Sequence, residues 1–180
     1  MTDLLLRPFE EADWPAVRAI IEEVAEQGET YCLAGHLDDA ALRAFWLYDA
    51  HTVVAEMETA AGRQVLGSAH MGPNRAAQGE HIGTASFMVS AAARGHGLGR
   101  ALGEYAVAWH RRAGFRGIQF NAVVETNTAA VRLWQALGFT VVGTVPGAFR
   151  RPTGEYVGLH VMFLDLTATD RPPAGDSLVP

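Results

Sequence analysis

Val89-Ser90-Ala91-Ala92-Ala93-Arg94-Gly95-His96-Gly97-Leu98-Gly99-Arg100 is the stretch whose reading decides the fold. A strand-like run from Ile82 to Ser90 stops there, and an amphipathic helical run to Ala113 begins. Leu98, Leu102, Tyr105, Ala106 and Trp109 recur on one face of that run, and Gly114 ends it. The first turn of a helix leaves backbone N–H groups without partners inside the helix. The aligned peptide dipoles put about +0.5 charge at that end. Such an end holds phosphate where the backbone can come close. Gly95, Gly97 and Gly99 carry no Cβ to obstruct the approach, and Arg94 and Arg100 add charge at the rim. No lysine follows the glycines as in a P-loop, and Gly-x-Gly-x-Gly is not the dinucleotide fingerprint.

Outward from this turn, Leu4 to Arg7 reads as a short strand closed by Pro8, and Trp14, Val17, Ile20, Ile21 and Val24 fall at helical spacing. A loop from Gln27 to Gly35 leads to a second helix near Asp38 to Tyr48, with Leu42, Phe45 and Trp46 as its apolar face. Strand-like runs span His51 to Met57 and Gln64 to Met71, joined by the turn Ala60-Ala61-Gly62. Beyond the central helix come a strand from Ile118 to Val124, a helix from Asn127 to Leu137, and strands from Phe139 to Val145 and Tyr156 to Leu164. Meander strands followed by a crossover helix imply an α/β fold with a mixed sheet. One domain is expected over residues 1–166, and Thr167 to Pro180, rich in Pro, Asp and Gly, reads as a flexible tail.

The helix after the fourth interior run carries a second block, Asn127-Thr-Ala-Ala130-Val-Arg-Leu133-Trp134-Gln-Ala-Leu137-Gly138-Phe139. Asn127 is a good N-cap, Ala130, Leu133, Trp134 and Leu137 form one apolar stripe, and Gly138 supplies a left-handed C-cap. Together the two blocks resemble the GNAT superfamily. Its members carry Arg/Gln-x-x-Gly-x-Gly/Ala, matched by Arg94, Gly97 and Gly99, and Asn-x-x-Ala-x-x-Leu-Tyr-x-x-x-Gly-Phe, matched except that Trp134 stands where many members have tyrosine. The blocks cover about Ile82 to Phe139, and a weaker match of the outer elements extends from Leu4 to Leu166.

The resemblance implies the GNAT acyl-CoA N-acyltransferase fold, a mostly antiparallel splayed sheet flanked by helices. It implies an acyltransferase that uses acetyl-CoA and moves the acetyl group directly to an amine, without a metal. The pyrophosphate would lie on Arg94, Gly95, His96, Gly97, Leu98, Gly99 and Arg100, and the pantetheine arm on free backbone groups of Phe87, Met88 and Val89. A backbone N–H near Val89 would polarise the thioester, and Asn127, Ala130 and Trp134 would face CoA. The family tyrosine is usually assigned as the acid that protonates the departing thiolate, a role an indole N–H cannot take. A thiol pKa near about 8.5 makes the thiolate a tolerable leaving group, so no general acid is assigned. Trp134 reads as a packing wall beside the sulfur or as ordinary core.

The runs Phe120 to Asn127, Arg132-Leu-Trp134 and Gly143 to Phe149 are similar to GNAT enzymes related to the azetidine-2-carboxylate (proline-analogue) acetyltransferases. That likeness implies Asn121 near the acceptor, with Thr84 as a second acceptor residue on the opposite strand. The acceptor is expected to be a small-molecule amine. Protein N-terminal acetylation and a non-catalytic acyl-CoA-binding module stay open beside it. Alternation in the strand puts Ile118, Phe120, Ala122 and Val124 on one face and Gln119, Asn121 and Val123 on the other. As general base, Glu29, His81 and Glu125 are candidates, each equally readable as a surface residue, and a water relay would serve as well.

Composition narrows the partners. The 180 residues carry a formal charge of −6, and all 14 positive residues are arginine. An acidic chain without a long basic run is a poor nucleic-acid binder, and the absence of lysine excludes a Schiff-base mechanism. No apolar stretch approaches the roughly 20 residues of a membrane span, and Met1 to Glu11 is not a signal peptide. A cytoplasmic protein with no membrane partner is expected, with a homodimer left open. Cys32 is the single cysteine, so no internal disulfide can form; it reads as a nucleophile or as a small core residue. The seven histidines show no metal-ligand spacing.

Overall fold

Strand β1, Leu4–Pro8, ends where proline can no longer donate to a ladder, and a short 3-10 turn, Glu11–Asp13, leads into helix α1, Trp14–Gln27. Pro15 sits in the first turn of α1, where its missing N–H leaves nothing unpaired. A computed structural model describes residues 4–34, 37–47 and 51–167 of the chain. The remaining elements are α2 (Asp39–Leu47), β2 (His51–Thr59), β3 (Gly62–Pro73), β4 (Ile82–Val89), α3 (Leu98–Arg112), β5 (Gly117–Val124), α4 (Thr128–Ala136), β6 (Thr140–Arg150) and β7 (Tyr156–Asp165). Their order is the one expected from the sequence. Tyr48, at the expected end of α2, and residues 168–180 of the expected tail lie outside the described residues. Among the described residues no helix is long and apolar enough to cross a membrane.

The seven strands run in the order β1-β2-β3-β4-β5-β7-β6. All neighbours are antiparallel except β4 and β5. That mixed sheet is what a crossover helix between β4 and β5 requires. Strand alternation divides the core in two. Val54 and Met88 pack with Trp14, Val17, Ile21 and Trp46 under α1 and α2. Val53, Ala69, Ala85, Ile118 and Phe120 pack on the other face with Leu98 and Leu102 of α3 and Trp134 of α4.

Two expectations are corrected. Ala122 does not share the buried face of β5. The β5–β7 register shifts between Phe120 and Val123, and the extra residue leaves Asn121 and Ala122 exposed. Strand β6 runs to Arg150 rather than Val145, through Pro146 and Gly147. Proline is tolerated because β6 is an edge strand with a shifted register between Val145 and Phe149.

Helices α3 and α4 touch at a missing side chain. A Cβ on Gly103 would lie 2.8 Å from Leu137 Cδ1 and 2.9 Å from Trp134 Cζ3. Gly103→Val should therefore lower stability by about 1–3 kcal/mol, the usual range for overpacking, read as an earlier urea midpoint.

His70 lies edge-on to Trp46, 4.6 Å between ring centroids, and its buried Nε2 has no partner. Burial pushes its pKa down from 6.5 to about 4. Between these values the unfolded chain binds a proton that the folded chain refuses, so stability falls as pH drops through that window. His70→Phe keeps a ring and removes the titration. Urea unfolding from pH 7 to 4.5 should show a shallower acid loss in the variant.

Candidate functional site

Strands β4 and β5 pair only at Ile82–Gly117 and Gly83–Ile118 and then part. A cavity of about 790 Å³ fills the gap. Phe87, Val89, Gly99, Phe120, Asn127, Ala130, Leu133 and Trp134 line its α3/α4 side. Phe45, Thr84, Ser86, Asn121, Tyr31, Glu29 and Arg151 line the rest. The cavity thus passes through the sheet.

The free edge of β4 follows from the ladder. Ser90 N–H bonds to the Leu66 carbonyl at 2.9 Å, so Met88 and Ser86, two and four residues earlier, also turn their backbone groups to β3. Ala85, Phe87 and Val89 turn theirs into the gap. The expectation of free backbone groups on Met88 is therefore corrected: they face β3, and its side chain is buried among α1 and α2. Phe87 and Val89 keep theirs toward the cavity.

At the top of β4, Ser90 accepts a hydrogen bond from Ala92 N–H, and a 3-10 turn, Ala91–Ala93, leads to Arg94. Gly95 and Gly97 have φ of 82° and 84°, a left-handed conformation that glycine adopts without strain. The first bond of α3 runs from Ala101 N–H to the Gly97 carbonyl, 3.0 Å. The N–H groups of Leu98, Gly99 and Arg100 precede it and remain for another acceptor. A Cβ on Gly95 or Gly97 would meet open space, so the approach to this helix end is clear. Four of the expected residues contribute less than the pattern suggested. The Leu98 side chain is buried in the core, leaving only its N–H. His96 N–H is spent on the Ala93 carbonyl at 3.3 Å. Arg100 pairs with Glu104 at 3.4 Å on the exposed side of α3, and Gly95 lies outside the cavity wall. Arg94 lines the cavity and donates to Gln27 Oε1.

Asn127 caps α4, its Oδ1 accepting from Ala130 N–H at 3.2 Å. Trp134 is both wall and core. It is 7% exposed and packs against Phe87 and Phe120, with centroids 4.7 and 4.9 Å apart. On the other face Asn121 is fixed by a chain of amides: Gln119 donates to it at 2.8 Å, and it donates to Asn74 Oδ1 at 2.7 Å. Thr84 lines the same end of the cavity.

Of the three base candidates, Glu29 alone lines the cavity. It accepts from Arg151 Nε at 2.9 Å, and Arg151 also pairs with Glu155 at 2.8 Å. Glu125 is spent on the backbone N–H of Gly158, and His81 is exposed. Cys32 is exposed at the mouth. Among the described residues no three His, Cys, Asp or Glu side chains gather as a metal site would need.

The sequence reading missed Tyr31, Ser86, Phe45 and Arg151. None stands in a motif. Ser86 alone carried a signal, since it shares strand parity with Thr84 on β4.

A model of the acetyltransferase (GNAT) family matches residues 11–139. The chain is 36% identical over 98 residues to the N-acetyltransferase aca1 of Schizosaccharomyces pombe, covering 54% of this chain and 47% of that protein. It therefore spans about half the length of that curated relative, and only 13% of the protein SPT10 of Saccharomyces cerevisiae, which it matches at 31% identity. A GCN5-related N-acetyltransferase from Kribbella flavida superposes with a TM-score of 0.85 at 53% identity, over 91% of this chain and 98% of that one. yncA, a putative acetyltransferase from Salmonella typhimurium solved with its cofactor acetyl-CoA, gives a TM-score of 0.78 at 26% identity, over 97% and 99% of the two chains. With the splayed sheet and the glycine turn in place, these matches establish that the chain belongs to the acetyltransferase (GNAT) family.

Proposed function

We propose that this enzyme takes the acetyl group from acetyl-CoA and passes it directly to the amine of a small molecule, an amino acid or proline analogue being the first acceptor to try. The carrying observation is the cavity that joins the glycine turn, through the gap between β4 and β5, to a polar pocket on the opposite face. The turn offers uncommitted N–H groups at a helix start, suited to a pyrophosphate. The parted edge of β4 turns the N–H and carbonyl of Phe87, which the Tyr31 hydroxyl holds, and those of Val89 toward the path of an amide-bearing arm. The structure solved with acetyl-CoA supports this reading by its likeness over nearly the whole chain.

On the acceptor side, Asn121 and Thr84 would orient the amine. The amine nitrogen bonds to the thioester carbon, the C–S bond breaks, and the sulfur leaves as thiolate. The nitrogen's proton passes to a water relay, which suffices without a dedicated base. An N–H on the β4 edge polarises the carbonyl, and the remaining contribution is orientation. The Glu29–Arg151 pair clasps the loop after α1 to the end of the β6–β7 hairpin across the cavity. That clasp favours a small acceptor over a polypeptide, which would need an open groove between the same two segments.

Gly99 gives a clean test of the cradle. It has an ordinary helical φ, and a Cβ there would meet Leu133 Cδ2 at an unstrained 3.6 Å. Gly99→Val should weaken acetyl-CoA by about 2 kcal/mol, on the scale of lost charge-assisted hydrogen bonds. Calorimetric titration of the folded variant measures this, and wild-type affinity would remove the cradle from the account. Asn121→Ala should raise the Michaelis constant for the amine or lower turnover while acetyl-CoA affinity stays within about 1 kcal/mol of wild type. An amine panel followed by CoA thiol release supplies the acceptor for that measurement. Collapse of cofactor binding alone would move Asn121 to the other substrate.

A further inference from the structure

Tyr31 comes from the loop between α1 and α2, 56 residues before Phe87, and its hydroxyl stands in the gap between β4 and β5. The hydroxyl accepts from Phe87 N–H at 2.8 Å and donates to the Phe87 carbonyl at 2.8 Å. A paired strand would normally satisfy both groups; here one phenol does. Burial pushes the Tyr31 phenol up to about 12, so at neutral pH it keeps the proton it donates.

These two groups are among those that the acetyl-CoA reading gives to the acyl arm, and the inference rests on that reading. An amide N–H has one hydrogen to offer. An arm that takes it must turn the phenol out. The loop that carries Tyr31 is tied at three places. Tyr31 holds it to β4 from inside. Glu29 holds it to Arg151 through a part-buried ion pair. Gly28, with φ of 60°, lies under Pro152, whose Cγ would be 3.0 Å from an added Cβ. A second hollow, about 520 Å³, lies between the loop and the β6–β7 hairpin, and Tyr31, Cys32 and Arg151 line both hollows.

We propose that Tyr31 is a ligand-displaced gate: its hydroxyl caps Phe87 until binding of acetyl-CoA expels it from the β4 edge. The free state then carries a stabilising contact that the bound state gives up, which reduces apparent affinity for the cofactor.

The test is Tyr31→Phe, which keeps the ring and removes the hydroxyl. Thermal unfolding checks that the variant is folded. Calorimetric titration should show acetyl-CoA binding about two- to tenfold tighter than in wild type, the factor a net hydrogen-bond contribution gives. Amide hydrogen exchange without ligand should be faster at Phe87 in the variant. Equal or weaker acetyl-CoA affinity in the folded variant overturns the gate and leaves the proposed function standing. Absence of acetyl-CoA binding in both proteins overturns the proposed function, and the gate falls with it.

Discussion

The site depends on one fork in the sheet. Its base is tight: a Cβ on Gly83 would lie 2.1 Å from His110 Cδ2, and one on Gly117 would lie 2.5 Å from Phe163 Cζ. Glycine at both places lets the two strands meet under packed rings. Above the base, Phe87, Phe120 and Trp134 meet on the α3/α4 face with centroids 4.7 to 5.8 Å apart, over the place where the two strands part. Aromatic packing of this kind contributes beyond its buried area. The shifted register of β5 after Phe120 carries the strand further away. Backbone groups that any ordinary sheet would consume are thus left facing a cavity.

Because the fork cuts through the sheet, the two faces divide the labour. The α3/α4 face supplies the helix start at Leu98 and the apolar wall of Leu133 and Trp134. The α1/α2 face supplies short polar side chains, Thr84, Ser86 and Asn121, on strands that cannot move far. Charge is spent sparingly. Arg151 is bracketed by Glu29 and Glu155, so its positive charge is more than matched. In a chain of net charge −6, the proposed hold on an anionic cofactor rests on Arg94 and the oriented N–H groups of the turn rather than on the molecule as a whole.

Local signals were legible in the sequence, and distant ones were not. The glycine turn, the Asn127 cap and the stop at Gly138 are set within a few residues, and each stands where the pattern put it. The family likeness singled out Thr84 and Asn121, and both line the cavity. Tyr31 could not be read, because its partner lies on a strand whose free edge exists only after the sheet forks. The free backbone groups expected on Met88 came from the family likeness, which does not carry the ladder parity that turns them to β3. The bulge that exposes Ala122 leaves no mark in composition. His110 sat unremarked on α3, yet its ring is wholly buried against Gly83, with Nδ1 bonded to the Ala106 carbonyl at 2.8 Å.

Trp134 ties the packing to the chemistry. Its indole fits only because Gly103 on the facing helix has no side chain, so the two residues form one structural unit. The ring packs against Phe87, Phe120 and Phe139 and lines the cavity where β4 and β5 part. A residue so placed is committed to shape. An indole has no proton to give to sulfur under ordinary conditions. Expelling the sulfur in the proposed reaction therefore rests on two things that need no acid at this position. One is the modest basicity of a thiolate, whose conjugate thiol has a pKa near about 8.5. The other is a backbone N–H on the β4 edge, preorganised by the fork beside which Trp134 packs.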